Sequence, residues 1–224
     1  MTIVDWPLEQ RPRERLIKLG AGALSDAELL AVFLRCGMPG KNAVELGREL
    51  IGHFGSLTRM FGATLTEFSR LQGLGPAKFA QMQAVLELAR RALGEELKAG
   101  VALDNSLKVR QYLRLLFSGK PYESFAVLFL DTSNRLIAAE EMFRGTLTHT
   151  SVHAREVVKA ALAHNAAGVL LAHNHPSGEP RPTRSDLDVT TLLRHALALV
   201  DVRVLDHFIV GEQHIHSFVE HGQL

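Results

Sequence analysis

In the first hundred residues, apolar side chains recur at three- and four-residue intervals, which predicts a series of short amphipathic helices. Two of them begin at capping-box spacings, in the runs SDAE (Ser25–Glu28) and TLTE (Thr64–Glu67). A longer helix is expected after a glycine-rich turn, with Pro76 in its first turn. We therefore expect a small all-α domain over residues 1–99.

The pattern changes after Gly94–Ser106, where glycines, charges and a loss of periodicity predict a short linker. Beyond it, apolar runs rich in β-formers alternate with amphipathic segments. SFAVLFLD and RLIAAEEMF predict a hairpin, AGVLLAH a buried strand, and VRVLDHFIV with QHIHSFVE a terminal hairpin. Residues 104–224 are thus expected to form a mixed sheet with flanking helices, an α/β or α+β domain.

Composition narrows the class of protein without naming a partner. The chain has 224 residues, 46% of them hydrophobic, which is enough for two small cores. Its net charge of +1 does not by itself indicate binding to nucleic acid or to a membrane. Its single cysteine, Cys36, rules out an intramolecular disulfide and fits a reducing compartment. No apolar run has membrane-spanning length and the first residues do not resemble a signal peptide, so we expect a cytoplasmic protein with no membrane partner.

Imidazole chemistry is expected in the second domain, because ten of the 11 histidines follow residue 104. His173 and His175 are two residues apart at the end of a predicted strand, so their rings share one face, as two corners of a zinc tetrahedron require. A proline-rich loop then leads to a helix start, where Thr183 and Asp186 lie on one helical face.

Asp186 is a candidate third ligand, which leaves the fourth zinc position to water, as in catalytic sites. Zinc lowers the pKa of such a water to about 7. Two alternatives need no metal: a chance pair of histidines, and a Thr183–Asp186 pair that only caps the helix.

The stretch HNHPSGEPRPTRSD resembles the metal motif of JAMM/MPN-type zinc hydrolases, in which H-x-H is followed by a hydroxyl residue and an aspartate. FRGTLTHTSVHAREVVKAALAHNAAGVLLAHNHPSG and LVDVRVLDHFIVG resemble the RadC family in particular, over nearly the whole chain. One departure is HARE at His153–Glu156, where the family has H-P-R-E; this touches a helix start and not the metal motif.

The resemblance implies a JAMM-type fold with one zinc per chain, held by His173, His175 and Asp186. It also implies an upstream glutamate as acid and base; we choose Glu141, four residues before Gly145, with its neighbour Glu140 as the alternative. Family hydrolases use the hydroxyl at the position of Thr183 to stabilise an oxyanion, a role that competes with helix capping. Outside the motif, either Asp206 or His207 is expected to face the cleft, or Asp206 to hold a ligand imidazole.

The first domain contains QGLGPAK, which resembles the hairpin of helix-hairpin-helix modules that bind DNA without reading its sequence. Gly73 and Gly75 allow close approach of a phosphate to the backbone, and Lys78 adds a positive charge. The alternative is a tight turn that binds nothing, which the small net charge of +2 over residues 1–100 favours (13 basic against 11 acidic side chains).

These features predict a zinc-dependent hydrolase that cleaves a peptide or isopeptide bond in a protein or peptide substrate. A rival hypothesis is a DNA-associated repair or recombination protein whose zinc is structural. A third is an inactive scaffold, which the intact ligand set disfavours.

Overall fold

The computed structural model describes residues 3–99, 106–145 and 152–224, and it divides the chain into two compact units, Met1–Val85 and Leu86–Leu224. The division falls within the long helix that begins at Pro76. That helix continues to Ala99 and so includes the first half of the predicted linker, because the run EELKA consists of strong helix formers. Residues 100–105 lie outside the described part of the chain.

The first unit is helical, as predicted. Its helices are α1 (Pro12–Leu19), α2 (Asp26–Leu34), α3 (Ala43–Phe54), α4 (Leu57–Gly62), α5 (Leu65–Phe68) and the first part of α6 (Pro76–Ala99). The capping boxes predicted at Ser25 and Thr64 are both present, at the starts of α2 and α5. The apolar faces of these helices enclose a core around Leu46, Met60 and Phe68, and a smaller cluster lies around Val44.

The second unit is a five-stranded sheet with helices on both faces, which confirms the α+β expectation. Its helices are the rest of α6, α7 (Ser106–Phe117), α8 (Ala154–Ala163) and α9 (Arg184–Ala198). Its strands are β1 (Ser124–Leu130), β2 (Leu136–Arg144), β3 (Gly168–Asn174), β4 (Arg203–Val210) and β5 (Ile215–Ser217). The strand order is β2-β1-β3-β4-β5, antiparallel except for the parallel pair β3–β4.

Alternation along the strands creates two cores. On what we call the α7 face, Ala126, Leu128 and Leu130 of β1 pack with residues of α7 and the end of α6. On the α8–α9 face, the intervening side chains of β1 pack against Val157 of α8 and Leu193 of α9. None of the helices in the described ranges is long and apolar enough to cross a membrane.

A β-bulge in β2 decides which way its polar residues point. Phe125 of β1 lies opposite Phe143, but the next residue, Ala126, lies opposite Glu141, so β2 contains one extra residue between these pairs. From Glu141 to Ala138, β2 is therefore shifted by one residue relative to a regular strand, until a second irregularity between Ala138 and Leu136.

Candidate metal centre

Three side chains predicted as ligands converge at one end of the second unit. His173 is the second-last residue of β3, His175 immediately follows that strand, and Asp186 lies in the first turn of α9. One ligand atom from each lies within 4.8 Å of the others. The two Nε2 atoms are 3.1 Å apart, and Asp186 Oδ1 is 3.1 Å from His173 Nε2.

A hydrogen bond to the backbone fixes the orientation of His175. Its Nδ1 lies 2.9 Å from the carbonyl oxygen of Glu179 in the proline-rich loop. A carbonyl only accepts, so Nδ1 donates, and in the neutral ring Nε2 is a bare lone pair. That lone pair points at the other two ligand atoms, an arrangement that suits a cation.

Thr183 is the N-cap of α9 and positions Asp186. The Asp186 carboxylate Oδ2 accepts hydrogen bonds from the Thr183 backbone N–H and hydroxyl, both at 2.7 Å. In return, the hydroxyl accepts from the Asp186 N–H at 3.2 Å. Since this hydroxyl already donates to the carboxylate, the capping role predicted for Thr183 is present, and its only hydrogen is engaged.

The electrostatics of the cluster match a site for positive charge. Burial opposes ionisation of Asp186, but hydrogen bonds from His173, His175 and Thr183 outweigh it and hold the pKa of Asp186 far below its ordinary value. Burial also opposes protonation of His175; nevertheless its contacts with Asp186 and the Glu179 carbonyl raise the pKa of His175. A proton and a metal ion therefore compete for the same place.

A second layer of contacts lies behind His173, where His207 of β4 is the residue that faces the site. His207 Nε2 is 2.9 Å from His173 Nδ1, and the other nitrogen of His207 is 2.6 Å from the hydroxyl of Thr190 in α9. Asp206 points to the opposite face, where it accepts from the Ser217 hydroxyl at 2.6 Å. The expected contact of Asp206 with a ligand imidazole is therefore corrected: His207 makes that contact instead.

The predicted general base, Glu141, does not lie with the ligands. Its partner across the sheet is Ala126, on the α7 face, and its carboxylate accepts from Lys120 at 2.5 Å. Burial opposes its ionisation, but this ammonium, with the Ser124 hydroxyl, lowers the pKa of Glu141. The prediction that Glu141 faces the metal is thus corrected by the bulge in β2, which turns it to the other side.

Glu140, the alternative, is on the same face as the ligands, since its partner across the sheet is Val127 of the α8–α9 core. Its carboxylate, however, is 2.5 Å from the His164 ring at the end of α8. Neither of the two predicted glutamates is part of the cluster formed by the three ligands.

Glu123, which we did not single out from the sequence, lies on the same face of the sheet as the predicted ligands. It immediately precedes β1, and its carbonyl accepts from Gly145 N at 2.8 Å, which continues the β1–β2 ladder. Two residues before Phe125, it shares the face of Phe125 and of His173, which lies opposite Phe125. Its negative charge contributes to the raised pKa of His175.

Asn174, between the two ligand histidines, holds the backbone on both sides of Glu123. Its side-chain oxygen accepts from Ser124 N at 2.9 Å, and its amide nitrogen donates to the Tyr122 carbonyl at 3.0 Å. Asn174 is buried, so both bonds are shielded from water. The signal in the sequence was an acidic residue, Glu123, immediately before a buried strand. Whether it lies on the ligand face depends on the pairing of β1 with β3, which the sequence alone does not give.

The glycine turn of the first unit has the expected backbone shape. Gly73 has a positive φ of 81°, and Gly75 precedes the first turn of α6 with open space where a Cβ would be. The Lys78 ammonium, however, donates to the Gly73 carbonyl at 2.8 Å. The charge predicted to contact DNA is therefore engaged within the turn itself.

Comparisons with known proteins agree with this architecture. Residues 103–223 match the model of the RadC-like JAB domain, and residues 3–80 match the UPF0758 N-terminal domain. A UPF0758 protein of Herminiimonas arsenicoxydans (HEAR2468) is 66% identical over all 224 residues of both chains. One of Janthinobacterium sp. (strain Marseille) is 63% identical over the same full length, and one of Nitrosomonas eutropha is 60% identical over 99% of each chain. The two domain matches and these relatives show that the chain belongs to the RadC family.

Proposed function

We propose that the second unit is a zinc-dependent hydrolase centred on His173, His175 and Asp186. The observation that carries the proposal is the convergence of two imidazole nitrogens and one carboxylate oxygen within 4.8 Å. Two histidines and one carboxylate are a ligand set that zinc takes in catalytic sites, where a fourth position is left to water. The family, whose JAB domain is usually hydrolytic, supports the same reaction class.

When bound, zinc supplies Lewis acidity and lowers the pKa of water to about 7. We assign the proton transfer to Glu123, because it shares the ligand face of the sheet and acts electrostatically on His175. Its carboxylate accepts a proton from the attacking water and then donates that proton to the leaving amine. Glu141 cannot do this from the opposite face, where it is paired with Lys120.

Thr183 serves in this proposal to orient Asp186. Its hydroxyl hydrogen is directed at Asp186 Oδ2, which leaves no second hydrogen for an oxyanion. The remaining oxygen of the carboxylate, Oδ1, is then held towards His173 Nε2.

A peptide or isopeptide bond is the substrate we propose, by analogy with the family. A cavity of about 500 Å³ lies between the proline-rich loop and the terminal hairpin. Its lining includes Glu179, Arg181, Leu187 and His216, and the Glu179 carbonyl is the hydrogen-bond acceptor of His175. This cavity offers a substrate side chain both apolar and charged contacts, and it is linked to the proposed site only through Glu179.

The first test is the zinc content of the full chain, purified without chelator and compared with the double variant His173→Ala/His175→Ala. We expect about one zinc per chain in the wild type and none in the double variant, as three protein ligands predict. A wild type that takes up no zinc, even after reconstitution, would overturn the proposal.

The second test separates the two glutamates. Zinc-loaded protein is incubated with a mixture of peptides of known sequence, and new termini are identified by mass spectrometry. We expect cleavage by the wild type and by Glu141→Gln, and at least a hundredfold less by Glu123→Gln, as loss of general-base catalysis predicts. Equal cleavage by Glu123→Gln would remove Glu123 from the mechanism.

A further inference from the structure

A buried histidine that the proposed reaction does not use lies directly behind the ligand His173. His207 is completely buried, and its ring is packed between Phe125 and Phe218 at centroid distances of 5.6 and 4.7 Å. Both of its ring nitrogens nevertheless have polar partners, which a merely space-filling ring does not need.

The hydrogen bonds around His207 run in one direction only. At one end, the Thr190 hydroxyl is 2.5 Å from the backbone carbonyl of Asp186, which only accepts, so the hydroxyl donates there. Its oxygen must therefore accept from His207 Nδ1, 2.6 Å away. A neutral His207 that carries its proton on Nδ1 has a bare Nε2, and this accepts from His173 Nδ1 at 2.9 Å.

We propose that His207 and Thr190 are positioning residues that fix the tautomer of His173, with its proton on Nδ1 and Nε2 free to bind metal. These hydrogen bonds lead from one proposed ligand, His173, to the backbone of another, Asp186. They therefore link β3, β4 and α9 around the site. This inference rests on the proposed metal site, whose existence it presupposes, and it adds two residues that touch no metal themselves.

The physical reason is that a neutral imidazole can carry its one proton on either of its two nitrogens. Without an acceptor behind it, His173 is free to place the proton on Nε2, which blocks the ligand lone pair. Contacts of this kind behind metal ligands change metal affinity by about 10- to 100-fold. We expect losses in that range when the acceptor on residue 207 is removed, and smaller ones when the Thr190 hydroxyl is removed.

The test measures zinc dissociation constants of the full chain by competition with a chromophoric chelator. His207→Phe keeps the ring shape without an acceptor, whereas His207→Gln offers an oxygen to His173 and an amide N–H to Thr190. Thr190→Val and Thr190→Ser form a second pair, which removes or keeps the hydroxyl. His195→Gln, at an exposed position on α9, is the matched control.

We expect His207→Phe and Thr190→Val to weaken zinc binding, and His207→Gln and Thr190→Ser to restore much of it. Circular dichroism shows whether each variant is folded. Unchanged affinity in folded His207→Phe and Thr190→Val would overturn the inference while leaving the metal site intact. A wild type that binds no zinc would instead overturn the proposed function itself.

A second readout does not depend on any variant. In the zinc-loaded wild type, ¹⁵N NMR of the imidazole rings reports which nitrogen carries the proton. We expect His207 to be protonated on Nδ1 and bare on Nε2. The opposite tautomer would reverse the direction of these hydrogen bonds and contradict the inference, whatever the affinities show.

Discussion

Thr183 binds only one of the two oxygens of the Asp186 carboxylate, and the other oxygen is directed at His173. Oδ2 accepts both hydrogen bonds from Thr183 and so closes the N-terminal cap of α9, while Oδ1 lies 3.1 Å from the Nε2 atom of His173. The helix cap and the proposed metal ligand are therefore the same side chain. A capping box, usually a device of local stability, here sets the direction in which a ligand points.

Replacing Thr183 by alanine is expected to lower both the free energy of unfolding and the zinc affinity. Loss of the cap costs about 1 kcal/mol, and the freed carboxylate no longer holds its orientation. Thr183→Ser should restore both properties. Urea unfolding and chelator competition measure them.

The matched control is Thr64→Ala, which removes a capping box that also has threonine as its N-cap, at the start of α5 in the first unit. It should lower stability and leave zinc affinity unchanged. If Thr183→Ala behaved in the same way as this control, Thr183 would be a cap and nothing more.

Asn174→Ala should loosen the segment that carries Glu123. The substitution leaves a buried Ser124 N–H and the Tyr122 carbonyl without their partner, at a cost of about 1–3 kcal/mol. Amide hydrogen exchange is the measurement: we expect faster exchange at Ser124, with Phe129 near the other end of β1 unchanged as the internal reference. Equal acceleration at both positions would indicate general destabilisation of the strand instead.

The pH dependence of stability should change sign when zinc is added. In metal-free protein the pKa of His175 is raised above its ordinary value of 6.5, so the folded state binds the proton more tightly than the unfolded state. That stabilisation is complete below pH 6.5 and is lost as the pH rises through the raised pKa. With zinc the imidazole must be deprotonated, so stability should increase over the same range.

Urea unfolding at several pH values, with chelator or with zinc, measures this reversal. His175→Asn should flatten both profiles relative to the wild type, whereas His195→Asn at the exposed α9 position should leave them as they are. A wild-type profile that falls with pH in the presence of zinc would show that His175 does not bind the metal.

Gly211→Ala should disturb the site from a distance. A Cβ at this position would lie 2.4 Å from the Gly178 carbonyl oxygen and 2.7 Å from the Pro180 side chain. The proline-rich loop must then move, and with it the Glu179 carbonyl that orients His175. We expect weaker zinc binding by chelator competition, while Gly222→Ala, at a terminal glycine with open space around it, costs stability only. Unchanged affinity in Gly211→Ala would mean that the loop adapts without moving that carbonyl.

Much of the local structure was readable from the sequence because its causes are local. The capping boxes at Ser25 and Thr64, the helix start at Pro76 and the hairpin of β1 and β2 follow from spacing and turn chemistry, and the structure confirms them. The prediction of a linker from Gly94 was wrong for the segment up to Ala99, which is helical. This segment continues the helix because apolar Leu97 is buried in the core of the second unit.

The sequence by itself determined that His173 and His175 share a face and that Asp186 begins a helix, because these relations span a few residues. Only the tertiary structure decided which glutamate lies on the same face of the sheet as these three residues. Glu141 is turned away by a bulge, and Glu123 is brought to the ligand face by the pairing of β1 with β3, some fifty residues later in the chain. Strand register depends on partners distant in sequence, and a shift of one residue exchanges the two faces.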